Sequence, residues 1–220
     1  MKTTKLMVIA GLSVSLMGLS NLSSTTASAA SVKTIQKVQN KAVLQKVSTH
    51  YNSKAKSLHI SGLASQGNKV VVKYDTKKIA TTSINAKHEF DAKVKFTGYK
   101  TISLYAVNKA NKRLTPIIKL TANRYAASTP TVEKSHRTSK AINYDLTTAK
   151  NKGSLVFYYQ GKKFYSQKVK STKTRISFTQ DQLKGKKGNF TVRYFQTGKK
   201  ASPAVKAPIV KVGSVTQIFY

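Results

Sequence analysis

The chain has 220 residues and carries 40 Lys and Arg against six Asp and Glu, a formal net charge of +34. It has no cysteine, which excludes disulfides, thiolate chemistry and any cysteine-ligated metal site. An excess of positive charge on this scale costs stability through self-repulsion and is usually kept for a polyanionic partner.

Five of the cationic side chains are Arg (Arg113, Arg124, Arg137, Arg175, Arg193) and the rest are Lys. Arg suits planar, bidentate recognition, whereas Lys is a hydrated point charge on a flexible stem. A lysine-dominated surface therefore points to attraction toward diffuse negative charge.

Residues 1–29 read as a cleaved signal peptide. Lys2 and Lys5 form a positive start, Leu6 to Leu19 is an apolar run, and Ala27-Ser28-Ala29 is a small-residue cleavage signal. The apolar run falls short of the ~20 residues that span a bilayer. No later stretch is apolar enough to be a transmembrane anchor, so the protein is expected to be secreted and held on a cell, if at all, without a covalent or membrane anchor. Residues 30–42 form a leader that reads equally as a short helix or as flexible chain.

Short β-branched and aromatic runs separated by turn residues follow, a pattern of strands. The first set falls near 43–50, 57–62, 69–75, 78–85, 88–96, 101–107 and 114–122. Tyr125 to Ser139, small, polar and proline-containing, reads as a linker. The second set falls near 141–148, 154–160, 163–170, 174–179, 189–196 and 203–212, and 214–220 is a tail. An internal repeat ties the two sets together. Val70 to Ile79 aligns with Leu155 to Phe164, Thr101 to Val107 with Asn189 to Phe195, and Pro116 with Pro203, at offsets of about 85 to 88 residues. The expected fold is all-β: two tandem Ig-like antiparallel β-sandwich domains, 43–124 and 140–213, after the signal peptide. Alternation assigns the cores. Val70, Val72 and Tyr74 should meet Ile102, Leu104 and Ala106, and Leu155, Phe157 and Tyr159 should meet Phe190, Val192 and Tyr194.

With Leu58-His59-Ile60-Ser61-Gly62 before a Val-rich strand, two cysteine-free, lysine-rich repeats and a signal peptide, the chain resembles bacterial Ig-like extracellular domain repeats. In style it is similar to lactobacillus cell-surface and S-layer-associated proteins. That resemblance implies non-covalent attachment to a cell wall, and it transfers no binding residue.

Enzymatic chemistry finds little support. Glu89 and Asp91 would share one face of a strand, yet nothing matches them in the second repeat, and balancing Lys87 and Lys93 explains them better than paired-carboxylate catalysis. His50, His59, His88 and His136 lack metal-ligand spacing, although His59 and His88 could face each other across strands. Gly185-Lys186-Lys187-Gly188 lacks the strand–helix setting of a phosphate loop. No catalytic residue, metal or cofactor is expected.

The basic clusters say more. Lys77-Lys78 and Lys162-Lys163 occupy the same hairpin of each repeat, and Lys184, Lys186 and Lys187 precede the penultimate strand. In an Ig-like sandwich these two loops share one end, while Lys199 and Lys200, with Lys109, Lys112 and Arg113, belong to the other. The nine lysines that remain when Lys109 and Lys112 are set aside are candidate polyanion contacts. Tyr158, Arg193 and Phe195 should project from adjacent strands as an aromatic-basic contact face, with covering the sheet, packing against the other domain or protecting a sheet edge as the competing explanations. The expected partner is an anionic cell-wall polymer of teichoic-acid type or another glycan. An adhesin or structural role toward host glycans, matrix or another surface protein is the alternative. Nucleic acid is disfavoured by export and by the lack of a recognition motif.

Overall fold

In the first repeat, β-branched and aliphatic residues at every second position give seven antiparallel strands: β1 (Leu44–Asn52), β2 (Ser57–Ala64), β3 (Lys69–Tyr74), β4 (Lys77–Ser83), β5 (Glu89–Val94), β6 (Ile102–Val107) and β7 (Ile118–Leu120). They form two sheets, in the orders β1-β2-β5 and β4-β3-β6-β7. A short helix, α1 (Ala122–Tyr125), leads to the second repeat. There the strands are β8 (Thr131–Arg137), β9 (Ala141–Thr147), β10 (Gly153–Tyr159), β11 (Lys162–Val169), β12 (Lys173–Thr179), β13 (Asn189–Phe195), β14 (Val205–Pro208) and β15 (Val215–Gln217), with helix α2 (Gln180–Leu183) between β12 and β13. The sheets are β12-β9-β8-β15 and β11-β10-β13-β14. The molecule is thus a tandem of Ig-like antiparallel sandwiches. These facts come from a computed structural model that describes residues 41–217. The expected signal peptide, nearly all of the expected leader and the last three residues of the expected tail lie outside the described residues. No described helix is long and apolar enough to cross a membrane.

The cores follow the expected alternation. Val70 lies opposite Ala106, Val72 opposite Leu104 and Tyr74 opposite Ile102. Leu155 lies opposite Tyr194 and Phe157 opposite Val192. All are buried except Tyr74, which is half-buried. The first core is mainly aliphatic. The second is aromatic, with Tyr144, Phe157, Phe178 and Phe190 meeting at centroid distances of 5.1 to 6.2 Å, mostly in the tilted or edge geometries that the ring quadrupole favours.

Duplication extends to irregular features. Each third-to-fourth strand hairpin carries a bulge at the same place, between Val72 and Lys73 and between Phe157 and Tyr158. Near the end of each repeat a buried hydroxyl before a proline replaces a missing ladder partner. Thr115 Oγ1 accepts the Ala106 amide at 2.9 Å, and Ser202 Oγ accepts the Tyr194 amide at 2.8 Å. Pro116 and Pro203 have no N–H to continue the sheet, so β7 and β14 begin later than the apolar pattern indicates.

Three expectations need correction. The stretch 125–139 is not a free linker: Tyr125, Ala126 and Ala127 are buried, and Thr131–Arg137 is the strand β8. Its residues Glu133, Lys134, His136 and Arg137 hide the strand pattern, because only Val132 and Ser135 of β8 are buried. The tail likewise contains β15, which pairs with β8 at Lys134, Ser135 and His136. Finally, His59 faces His50 across β1 and β2, and His88 sits in the turn before β5 with φ 62°.

β1 and β5 are the edges of the three-stranded sheet. β1 is bulged between Gln45 and Ser48, and Lys46 there adopts φ 49°.

Removing either buried hydroxyl strands an amide. Thr115→Val and Ser202→Ala should each cost about 1–3 kcal/mol, seen as a lower urea midpoint at unchanged slope. A second expectation concerns alkali. Burial raises the Tyr144 phenol well above its usual range, opposed in part by the charge of Arg137. A raised phenol stabilises the fold below the unfolded tyrosine value of about 10, and that contribution is lost as pH rises beyond it, because the unfolded chain ionises first. Urea titrations at about pH 9 and about pH 11 should therefore show a smaller alkaline loss for Tyr144→Phe than for the parent.

Candidate functional site

At one end of the second sandwich, two loops meet as expected. Thr179 and Gln182 close a capping box at α2, Leu183 is buried, and the chain then turns through 184–188. Tyr159, at the end of β10, accepts the Lys187 amide at 3.1 Å. Lys186 Nζ lies 5.2 Å from the centre of the Phe164 ring and 5.9 Å from that of Tyr159. Tyr159 is itself paired with Lys162 across the hairpin, so Lys162, Lys163, Lys184, Lys186 and Lys187 share this end. All are exposed except Lys186, which is half-buried over the rings. In the first sandwich, Lys77 and Lys78 are exposed at the equivalent hairpin, where Asp75 is tied to Lys100 at 2.6 Å.

The remaining candidates have other partners. Consecutive residues pass from one core to the next: Tyr125 and Ala126 belong to the first, Ala127 to the second. This crossing is clamped by the β13–β14 loop. Ala126 and Lys200 form a parallel bridge, Lys200 N donates to Tyr125 O and Ala127 N to Lys200 O, each at 2.8 Å, and Tyr51 N donates to Gly198 O at 2.8 Å. Lys200 Nζ donates to Gly98 O at 2.7 Å and sits 4.8 Å and 4.7 Å from the ring centres of Phe96 and Tyr99. Lys199 Nζ donates to the carbonyls of Asn123 and Arg124. Burial lowers the pKa of both lysines, helped by Lys150 and Arg124 at Lys199 and by Arg193 at Lys200. Lys199 and Lys200 are therefore joint residues, not free polyanion contacts.

Arg193 is drawn into the same joint. It donates to the Tyr99 hydroxyl at 3.1 Å and to Ser202 O at 3.3 Å. Tyr99 in turn donates to Ala201 O and Ser202 O, both at 2.9 Å. Desolvation raises the Tyr99 phenol, and Arg193 opposes the rise. The expected face is thus divided: Arg193 and Phe195 line a cleft between the sandwiches, while Tyr158 lies farther along β10, opposite Lys163 and Thr191.

That cleft has a volume of about 880 Å³. The first sandwich supplies residues 50–54, Lys56 and Tyr99, and the second supplies Gly153, Ser154, Lys168, Arg193 and residues 195–201. A neighbouring hollow of about 620 Å³ shares Tyr51, Lys56, Tyr99, Arg193 and Lys200 with it and adds Lys95 and Phe96. Neither is lined by a carboxylate. The acids are engaged elsewhere: Asp145 holds Arg175 through two hydrogen bonds of 2.6 and 2.9 Å, Asp91 lies 3.8 Å from His59, and Glu89 accepts from Asn85 at 3.0 Å. Glu89 and Asp91 thus have neighbours other than the expected Lys87 and Lys93. Among the described residues, Lys100 and Arg175 are the Lys and Arg side chains paired with a carboxylate.

Lys54, Lys56, Lys95, Lys168, Tyr51 and Tyr99 carry no motif that marks them in the sequence. Tyr99 aligns with Lys187 at the repeat offset, but every residue from Thr101 to Val107 differs from its counterpart too, so the departure does not single Tyr99 out.

No family model matches the chain, and no curated protein does. Among solved structures it is similar to the human OSCAR ligand-binding domain, at 6% identity and a TM-score of 0.34, over 75% of this chain and 98% of that one. It is also similar to the BSP domain of a biofilm associated protein, at 11% identity and 0.28, over 78% of this chain and 31% of that one. Fibronectin(III)-like modules of CbhA from Clostridium thermocellum match at 16% identity and 0.26, over 69% and 83% respectively. No site residue is carried over from any of them.

Gly198 tests the joint. At φ 71° it accepts the Tyr51 amide, and a Cβ there would stand 3.0 Å from His50 Nδ1. Gly198→Ala should cost about 1–2 kcal/mol and speed limited proteolysis between residues 127 and 131, read by mass spectrometry.

Proposed function

We propose that the protein is a secreted, non-enzymatic cell-surface protein held non-covalently on anionic cell-wall polymers of the teichoic-acid type. The observation that carries this reading is the number of lysines left without a carboxylate, gathered at loop ends such as Lys162, Lys163, Lys184, Lys186 and Lys187. A flexible polymer of phosphates needs no shaped pocket. It needs point charges within a Debye length, about 8 Å at physiological salt, and release of its counterions supplies the driving force. The exposed hairpin pair Lys77 and Lys78 would add a second point of contact on the same polymer.

The second reading is an adhesin or structural surface protein that binds host glycans, matrix or a surface-layer protein. The aromatic rings beside cations in the cleft favour it, because such rings give contact area at low entropy cost.

The test is salt dependence. Binding of the protein lacking residues 1–29 to a purified phosphate polymer should weaken steeply as salt rises, and washing intact cells in concentrated chloride should release it. Replacing Lys162, Lys163, Lys184, Lys186 and Lys187 by Gln should flatten the log–log salt slope by about 0.7 for each lysine in contact, by analogy with single-stranded nucleic acid. Protein that stays on the cells through the wash, or a slope unmoved by the five substitutions, overturns the assignment.

A further inference from the structure

The cleft between the sandwiches differs in kind from the lysine-bearing loop ends. Its cations come from both sandwiches, and aromatic rings lie among them. Lys54 and Lys56 come from the β1–β2 turn and Lys168 from β11, and all three are exposed. Tyr51 and Phe195, one from each sandwich, are half-buried in the same lining. The joint beneath keeps this geometry: Tyr99, Arg193 and Lys200 use their polar atoms on one another or on backbone carbonyls, so they hold the floor in place.

From this arrangement we propose that the cleft is a binding site for a short anionic oligosaccharide, a few sugar rings carrying phosphate or sulfate groups. The proposal deepens the reading of the protein as a polyanion binder and rests on it. A volume of about 880 Å³ is in the range of small-molecule sites, about 300–1,000 Å³. That suits a few sugar units and is far too small for a folded partner. Tyr51 and Phe195 offer apolar faces to the C–H surfaces of sugar rings. Lys54, Lys56 and Lys168 neutralise the substituents, and no carboxylate in the lining repels them. A linear polyphosphate can satisfy the lysines and leaves the rings uncovered. Ring-bearing anions should therefore be preferred at equal charge.

The three exposed lysines can be changed without touching the joint. Binding would be measured by calorimetry at physiological salt. The probes are a sulfated hexasaccharide, a phosphorylated oligosaccharide of similar length and a linear polyphosphate of matched charge. Two variants remove equal charge: Lys54→Gln with Lys56→Gln and Lys168→Gln in the cleft, and Lys162→Gln with Lys163→Gln and Lys184→Gln at the loop end. Phe195→Leu serves as an uncharged third. The expected result is that both oligosaccharides bind more tightly than polyphosphate. The cleft variant should weaken them about tenfold or more and Phe195→Leu about tenfold, with the loop-end variant close to the parent. The stronger of the two oligosaccharides identifies the source, phosphate for a wall polymer and sulfate for a host glycan. Equal weakening by the two triple variants, or polyphosphate binding as tightly as the sugars, overturns the cleft as a site and leaves diffuse retention intact. Failure of all three probes to bind in dilute buffer overturns both.

Discussion

The arrangement of the two sandwiches depends on backbone hydrogen bonds from the crossing segment, Tyr125 to Ala127, to Lys200, and from Tyr51 of β1 to Gly198 in the same loop. Three consecutive residues are shared between two hydrophobic cores, so the chain has no slack in which the modules could turn independently. Interfaces between domains are often small and polar, which permits relative motion. Here the polar contacts are half-buried and interlocked, with one phenol, Tyr99, both accepting from Arg193 and donating to the loop that Arg193 steadies. The cleft owes its shape to this knot.

Charge sets the second constraint. With so few acids, the described residues form few salt bridges with which to satisfy cations brought near the interior. It uses carbonyl oxygens and ring faces instead. Lys200 combines Gly98 O with two aromatic rings, Lys199 takes two carbonyls at the end of α1, and Lys186 rests over Phe164. Carbonyl dipoles and ring quadrupoles compensate a lysine without cancelling its charge, so the outward field of the molecule is preserved.

The sequence made the two cores legible because most core strands alternate, although Val71 and Val156 are buried as well, and because a near-constant offset relates the strands of the two repeats. It hid β8 and β15 because neither is an apolar strand: β8 buries Val132 and Ser135 and otherwise carries charged and polar side chains, and β15 is a three-residue edge. Alternation groups Tyr158, Arg193 and Phe195 as one face, and alternation reports only which way a side chain points. It does not report what a neighbouring module brings to meet it. The same limit explains Lys199 and Lys200. Loop lysines at the free end of an isolated sandwich and at the buried end of a tandem look alike in sequence, and Tyr99, which distinguishes them, lies about a hundred positions away.

The open side of the first sandwich has a consequence for how crowded copies behave. In the second sandwich β8 pairs with β15, whereas among the described residues no strand pairs with the outer edge of β1, although its Tyr51 amide donates to Gly198 O. An uncovered strand is a template on which another molecule could stack and grow a fibril. The bulge at Gln45 and Ser48, with Lys46 turned into the left-handed region, breaks that template near its start and adds a repelling charge. Crowded molecules would then remain separate particles rather than fuse into a continuous sheet.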